Sequence, residues 1–317
     1  MKLIFEPYIS KDTFFVDKDS NKRRMTTFVV PWPTVKLAEL RTHRTIYQTE
    51  SEEFSIATNE RTIAMNANSS RAIPLERQIK QVEEHPFEPV WTLNQSGMSG
   101  KMASDLTAEK ASQQWHSARA FALTRVKALL DLGIHKQDAA LLLNPFSWTT
   151  CILSADQDRW EHFFDLRTNP NVYPAVRIIA EKMEQLFYRS TPEPLEQERM
   201  HIAFEEKARG LVNKAHESLE ITTKDYFEKK KYYTMAVSMS MCAMISYDTQ
   251  ERSESLTKHV QRAKKLLTEG HWSTAEHQFI PVYHDNSNLI FKGWKSLRDV
   301  MVDHQSFAKD FLTIFNF

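Results

Sequence analysis

The sequence predicts an α+β fold, mostly helical with a small antiparallel or mixed sheet, in one compact unit over residues 1–317. Three observations carry that expectation. Glycine is scarce, with 6 residues, while Leu, Ala, Glu, Lys and Met are plentiful, a bias that favours long helices over a turn-rich all-β chain. Several stretches repeat apolar residues at three- and four-residue steps. A few short runs instead alternate and are rich in β-formers, and no Pro/Gly/Ser linker divides the chain.

The first β-rich run is Thr26-Thr27-Phe28-Val29-Val30, and Thr34 to Leu40 reads as a second strand that runs into Arg41-Thr42-His43-Arg44. Between Thr45 and Asn66 the chain is polar, rich in Glu and Thr, and weakly periodic. Ser69-Ser70-Arg71-Ala72-Ile73-Pro74 reads as a loop entering a helix from Leu75 to about Glu84, with Pro74 suited to the first turn and Pro86 beyond the end. Trp91 to Gly100 is a loop that holds several of the glycines. After Asp105, Trp115, Ala118, Ala122, Val126 and Leu129 mark a long helix that Gly133 stops.

A short helix from Ala139 to Leu143 ends near Pro145, and Ser147 to Leu153 reads as a strand. Helices follow at Arg159–Leu166 and about Pro174–Tyr188, the second broken by Thr191-Pro192-Glu193-Pro194. Met200 to Tyr247 is mostly helical, and its methionines from Met235 to Met244 are core filling. Leu256, Val260, Ala263 and Leu267 mark an amphipathic helix stopped by Gly270, after which His271 to Ile280 leads into a strand. A final helical segment contains Phe291-Lys292-Gly293-Trp294.

Composition excludes several function classes. Net charge is zero with no long basic block, which disfavours a groove for a nucleic-acid polymer but leaves room for a local anion pocket. Cys151 and Cys242 cannot build a disulfide framework or a zinc ribbon, and their apolar surroundings predict buried, inert thiols. The 12 histidines are scattered without a metal-ligand spacing, and neither Gly-x-Gly-x-x-Gly nor a phosphate-binding loop occurs. No apolar run has the length of a membrane span, and the first residues lack a signal-peptide core, so a cytoplasmic protein is expected.

The informative segment is Asn66-Ala67-Asn68-Ser69-Ser70-Arg71-Ala72-Ile73-Pro74. Two hydroxyls and a guanidinium at a helix start can collect a dianionic phosphate, helped by free backbone N–H groups and the helix dipole. Serines before a helix are more often plain caps, so the segment gains weight only from its company.

That company is Leu37-Ala38-Glu39 with Arg41-Thr42-His43-Arg44 before the segment. After it come Asn94-Gln95 with Gly97-Met98, His135-Lys136-Gln137, Trp160, and Phe163-Phe164-Asp165-Leu166-Arg167. Ser246-Tyr247, His271-Trp272-Ser273, Glu276-His277 and Gly293-Trp294 complete the series. In this order the motifs resemble the flavin-dependent thymidylate synthases, in particular a longer-chain branch whose motif ends in Ser-Ser-Arg-Ala-Ile-Pro. Shorter members carry the Ser-Pro-Phe-Glu-His element ahead of Arg-His-Arg; its counterpart Ser273–His277 lies far behind it here, which resembles a circular permutation.

The resemblance implies a fold like that family's and conversion of dUMP to dTMP with FAD, NADPH and methylenetetrahydrofolate, in a homotetramer with sites between subunits. By position, His43, Arg44, Asn66, Glu276 and His277 would hold FAD, with His277 near the flavin ring. Glu39, Ser69, Ser70 and Arg71 would bind the pyrimidine nucleotide, and Arg167 would lie between nucleotide and flavin, stabilising negative charge on the pyrimidine. Arg167 and His277 are the candidate catalytic residues. The flavin supplies hydride, and the protein supplies positioning and electrostatics.

The chain also departs from the pattern. The last Arg of Arg-His-Arg normally precedes the Arg of Ser-x-Arg by ten residues; here Arg44 to Arg71 is 27, whereas Arg61 to Arg71 is 10. An insertion around residues 45–65 follows, and either Arg44 or Arg61 can fill the motif position. Leu141 stands where the family has a nucleotide-binding Arg, Asp156 and Asp158 where shorter members have Asn-x-Arg for the flavin, and Thr274-Ala275 replace Pro-Phe. Two further readings therefore stand beside dUMP methylation. One is methylation or hydroxymethylation of another pyrimidine nucleotide such as UMP; the other is a non-catalytic relative that binds nucleotide.

Overall fold

Two long antiparallel strands, β1 (Tyr8–Val16) and β2 (Lys22–Pro33), pair from Tyr8↔Val29 to Val16↔Lys22 with a bulge between Ile9 and Lys11. The turn between them is tied by Asp17, whose carboxylate accepts from the backbone N–H groups of Asp19 and Asn21. The computed structural model describes residues 1–41, 44–46, 59–61, 63–67, 73–96, 100–197, 199–245, 254–283 and 289–303, with Phe311 and Thr313. For residues 41, 44–46, 59–61 and 66 it describes the backbone alone.

The strand expected from Thr34 to Leu40 is instead a 3-10 turn (Thr34–Lys36) and a short helix, α1 (Leu37–Arg41). Leu37-Ala38-Glu39-Leu40 are good helix formers. The Trp32 indole N–H closes the turn by donating to the Lys36 carbonyl at 2.9 Å. β3 (Arg44–Ile46) and β4 (Asn59–Arg61) form an antiparallel ladder of their own. β5 (Ala64–Ala67) then joins the main sheet, and α2 (Leu75–Glu84) starts directly after Pro74, as the sequence predicts.

α3 (Asp105–Asp131) is capped by Ser104, whose hydroxyl accepts from Thr107 N–H, and the chain leaves it through Gly133 at φ +77°. α4 (Lys136–Ala140) and a 3-10 turn (Leu141–Phe146) lead to β6 (Trp148–Asp156), longer than expected by three residues at its end. α5 (Gln157–Arg167) and α6 (Pro174–Arg189) follow, then β7 (Glu193–Pro194). The region after Met200 is helical, as α7 (Glu205–Glu217) and α8 (Thr223–Ala243), but opens with a short strand, β8 (His201–Ile202). α9 (Leu256–Thr268), a 3-10 turn (Trp272–Ala275) and β9 (Gln278–Pro281) come next.

The helix expected through Phe291–Trp294 is not formed. Gly293 takes φ +81° and a Cβ there would come within 2.9 Å of Arg23, so the chain turns and enters β10 (Trp294–Ser296) before α10 (Leu297–Asp303). The main sheet runs β5-β6-β2-β1-β7, and a second runs β10-β9-β8. α5 and α6 cover the main sheet through Phe28, Trp160, Phe164 and Phe187, and the Trp160 indole donates to the Thr26 carbonyl at 3.0 Å. A second apolar cluster holds α7, α8 and α9 together, with Met235 and Met239 inside it. No helix among the described residues is long and apolar enough to cross a membrane. These pieces satisfy the α+β expectation: helices dominate and the sheets are small.

Candidate functional site

The two ends of the motif series, about two hundred residues apart in sequence, meet at the edge of the main sheet. β5 pairs antiparallel with β6 in the register Ala64↔Ser154 to Ala67↔Cys151, so Asn66 lies opposite Ile152. The 3-10 turn Trp272–Ala275 packs against β5. Ala64, Ser273 and Glu276 line one cleft of about 630 Å³ with Phe291, Ser296 and Arg298. Glu276 and Arg298 form an ion pair in its wall, and Ser296 Oγ caps α10 by accepting from Asp299 N–H. A cleft of this size takes a small organic ligand.

His277, the residue after Glu276, is fully buried. Its Nδ1 lies 2.8 Å from Ser154 Oγ, and its Nε2 has no hydrogen-bond partner among the described residues. Ser154 Oγ is 2.6 Å from Thr27 Oγ1, Thr27 Oγ1 is 2.8 Å from His201 Nε2, and His201 Nδ1 is 2.8 Å from Thr13 Oγ1. Burial lowers the His277 pKa to about 3. The His201 pKa is driven well down, by burial first, then by the Lys11 and His277 charges. Both imidazoles are therefore neutral at physiological pH.

Arg167 and Glu39, 128 residues apart, also come together. Arg167, at the end of α5, donates from Nη2 to the main-chain carbonyl of Glu39 at 3.3 Å. Half-buried there, its pKa is lowered by burial, and Glu39 opposes that shift. The Glu39 carboxylate pairs with Lys36 at 2.8 Å, and Lys36 lies 4.0 Å over the Tyr173 ring.

His43, Ser69, Ser70 and Arg71 lie outside the described residues, and only the backbone of Arg44 and Asn66 is described. The structure thus brings Glu39 to Arg167, sets Glu276 in the cleft wall with His277 buried next to it in sequence, and places β5, the strand before Ser69–Arg71 in sequence, alongside. Both thiols are buried as expected, Cys151 in β6 and Cys242 in α8, where burial pushes the Cys242 pKa up to about 12. No activated thiol nucleophile exists among the described residues.

The family model for the thymidylate synthase complementing protein matches residues 24–193, more than half of the chain. The chain belongs to that family. It is the family of flavin-dependent thymidylate synthases, and this chain is a divergent member. The matched span holds Glu39, Arg167 and the Asn66–Pro74 segment, while Glu276 and His277 lie beyond it.

The sequence matches no curated protein. Among solved structures, the UMP/dUMP methylase PolB from Streptomyces cacaoi bound with 5-Br UMP is similar at 17% identity and TM-score 0.39, over 52% of this chain and 70% of PolB. The flavin-dependent thymidylate synthase ThyX from Helicobacter pylori, complexed with FAD and dUMP, is similar at 15% identity and TM-score 0.31, over 51% of this chain and 67% of its own.

The departures from the family pattern now have places in the structure. Arg44 and Arg61, the two candidates for one motif position, are Cα partners in the β3–β4 ladder. The segment between them therefore leaves and returns at one point, with both arginines at its base. Leu141, where the pattern has a cation, opens the 3-10 turn and is 62% exposed, so it serves no core. Asp156 is structural: it caps α5 by accepting from Arg159 N–H at 3.0 Å, pairs with the Arg159 guanidinium at 2.5 Å and accepts from Lys292 N–H at 2.7 Å. Burial raises its pKa despite those partners. Asp158 pairs with Lys292 at 3.1 Å on the surface.

Sequence reasoning missed His201, Thr13, Thr27, Ser154 and Arg298. Hydroxyl residues at buried positions of β1, β2 and β6 were the available signal for Thr13, Thr27 and Ser154; a lone histidine in a two-residue strand gave none for His201.

Proposed function

We propose that this protein transfers a one-carbon unit to C5 of dUMP, forming dTMP with FAD, NADPH and methylenetetrahydrofolate. The single observation that carries the reading, beyond family membership, is the convergence of remote motif pieces: Ala64 of β5, which leads to Ser69–Arg71, shares a cleft with Ser273 and Glu276. In this reading Ser69, Ser70 and Arg71 collect the nucleotide phosphate at the approach to α2. Glu39 positions the nucleotide, and Arg167 stabilises negative charge on the pyrimidine.

His43, Arg44 and Asn66 on one side, with Glu276 and His277 on the other, would hold FAD. The buried Nε2 of His277, the residue after Glu276, has no hydrogen-bond partner among the described residues, which fits a polar ring system with carbonyl oxygens. FAD, when bound, supplies hydride transfer; the protein binds, orients and excludes water. A homotetramer, which would bring further residues to the site, belongs to the same proposal, as does a cytoplasmic location.

Exposed Leu141 in place of a nucleotide-binding Arg favours a second reading, use of another pyrimidine nucleotide such as UMP. The structural role of Asp156 favours a third, a relative that binds nucleotide without turnover, because a residue expected at the flavin instead anchors Lys292. NADPH oxidation measured with dUMP and with UMP, followed by product mass, separates the first two. The proposal expects oxidation to rise with dUMP, and Arg71→Ala to lower kcat/KM for nucleotide by about tenfold to a hundredfold with folding retained. Nucleotide binding by calorimetry without any NADPH oxidation would leave only the third.

A further inference from the structure

Glu276 and Arg298 both line the cleft of about 630 Å³ and meet there as an ion pair, Glu276 following the 3-10 turn Trp272–Ala275 and Arg298 standing in the first turn of α10. The Glu276 side chain is 11% exposed and that of Arg298 is 46% exposed. A guanidinium carries five N–H donors. Glu276 is the one hydrogen-bond acceptor of Arg298 among the described residues, reached from Nη1. Arg298 therefore brings donors beyond those used in the pair to the wall of the cleft. Its backbone is held on both sides. Leu297 is fully buried, Ser296 Oγ donates to Asp299 Oδ2 at 2.6 Å, and Asp299 N–H donates back to Ser296 Oγ at 3.1 Å.

The lining charges decide which end of a ligand this wall can face. Glu276 and Asp299 bring two carboxylates and Arg298 one cation, a net negative balance that turns a phosphate away. A neutral polar edge is tolerated. Ala64, Ile290, Phe291 and Val302 line the same cleft and offer apolar surface to a flat ring. An ionised carboxylate only accepts and a guanidinium only donates, so the pair presents an acceptor and donors side by side. The complement is a ring edge with an N–H next to a carbonyl oxygen, as in the imide edge of a pyrimidine-2,4-dione.

We propose that the Glu276–Arg298 pair reads the imide edge of a pyrimidine-2,4-dione in this cleft, Glu276 accepting from the ring N3–H and Arg298 donating to the neighbouring carbonyl oxygen. The flavin ring and the uracil base both carry that edge, and the presence of either rests on the proposed function. Arg298 becomes a ligand-binding residue, and it lies beyond the span that the family model matches. The charge-assisted donor is fixed by its pairing with Glu276 before the ligand arrives.

The test is calorimetric binding of FAD and, separately, of dUMP to the full chain, each beside its N3-methyl derivative, which lacks the imide N–H. One of the two ligands should lose about tenfold or more in affinity on N3-methylation and about tenfold to a hundredfold in Arg298→Gln. Both losses on FAD identify the flavin ring as the group that is read; both on dUMP identify the base. Arg298→Lys separates this role from a merely structural ion pair, and it serves equally if Arg298→Gln fails to fold. An ammonium still neutralises Glu276, so urea unfolding should stay near wild type, but without the planar fork the affinity should stay low. Full recovery of affinity in Arg298→Lys overturns the proposal and leaves the proposed function standing. So does any result in which a ligand binds but the two losses do not fall on the same one. A wild-type chain that binds neither FAD nor dUMP overturns both.

Discussion

At the scale of single residues, the buried imidazoles tie stability to pH. A histidine in the unfolded chain titrates near its ordinary 6.5, whereas His277 folded binds a proton only near 3. Between those values the unfolded chain holds more protons, so stability is fully present above about pH 6.5 and declines as pH falls. The loss for His277 alone is about 2 kcal/mol near pH 5, and His201 adds to it with the same sign. Urea unfolding between pH 7 and pH 5 should show that slope, and His277→Gln should flatten it; an unchanged slope would mean that the ring is not held neutral. Little of this was legible beforehand. His277 stood out through its Glu276 neighbour and the family likeness, but burial is a property of the packed sheet. His201 carried no sequence signal because a two-residue strand is too short for a period.

Individual elements show where local patterning suffices. α2 begins after Pro74 and α3 ends at Gly133 because a proline without N–H and a glycine at positive φ fix those boundaries within the segment itself. Thr34–Leu40 fails as a strand because its alternation competes with good helix formers, and the Trp32 indole, fixed by the core, decides for the turn. β1 carries Lys11, Asp12 and Thr13 at its centre, which conceals a strand whose buried polar groups find their partners on remote elements, Asp12 on β2 and Thr13 on β8.

Two predictions belong to this scale. Asp156→Ala removes the α5 cap, the Arg159 partner and the Lys292 anchor together, and should destabilise by about 2–4 kcal/mol. Asp158→Ala, losing an exposed pair, should change stability by less than about 1 kcal/mol. Equal effects in urea denaturation would refute the structural role given to Asp156. Excising residues 45–61, so that Arg44 runs into Thr62, should keep cooperative unfolding and shift stability by about 1 kcal/mol or less, because Arg44 and Arg61 already face each other. Loss of the cooperative transition would show that the insertion holds the fold together.

For the whole molecule, the α+β class was legible from composition and period, and the family from the order of short motifs. What the sequence concealed is that Ser273 and Glu276 return to Ala64 across the edge of the main sheet, because long-range packing and not local pattern closes that cleft. The remote Glu276–Arg298 pair, likewise, depends on α10 following a turn that Gly293 permits. Family membership and this convergence together lead to one claim: the molecule is a flavoprotein whose cofactor and pyrimidine nucleotide share a site.

The visible absorption spectrum of the purified protein, taken after incubation with FAD and gel filtration and again after adding dUMP, tests that claim directly. Retained flavin absorption that changes on adding dUMP is the expected result. A colourless protein that sheds all added FAD, with a spectrum indifferent to dUMP, would contradict it.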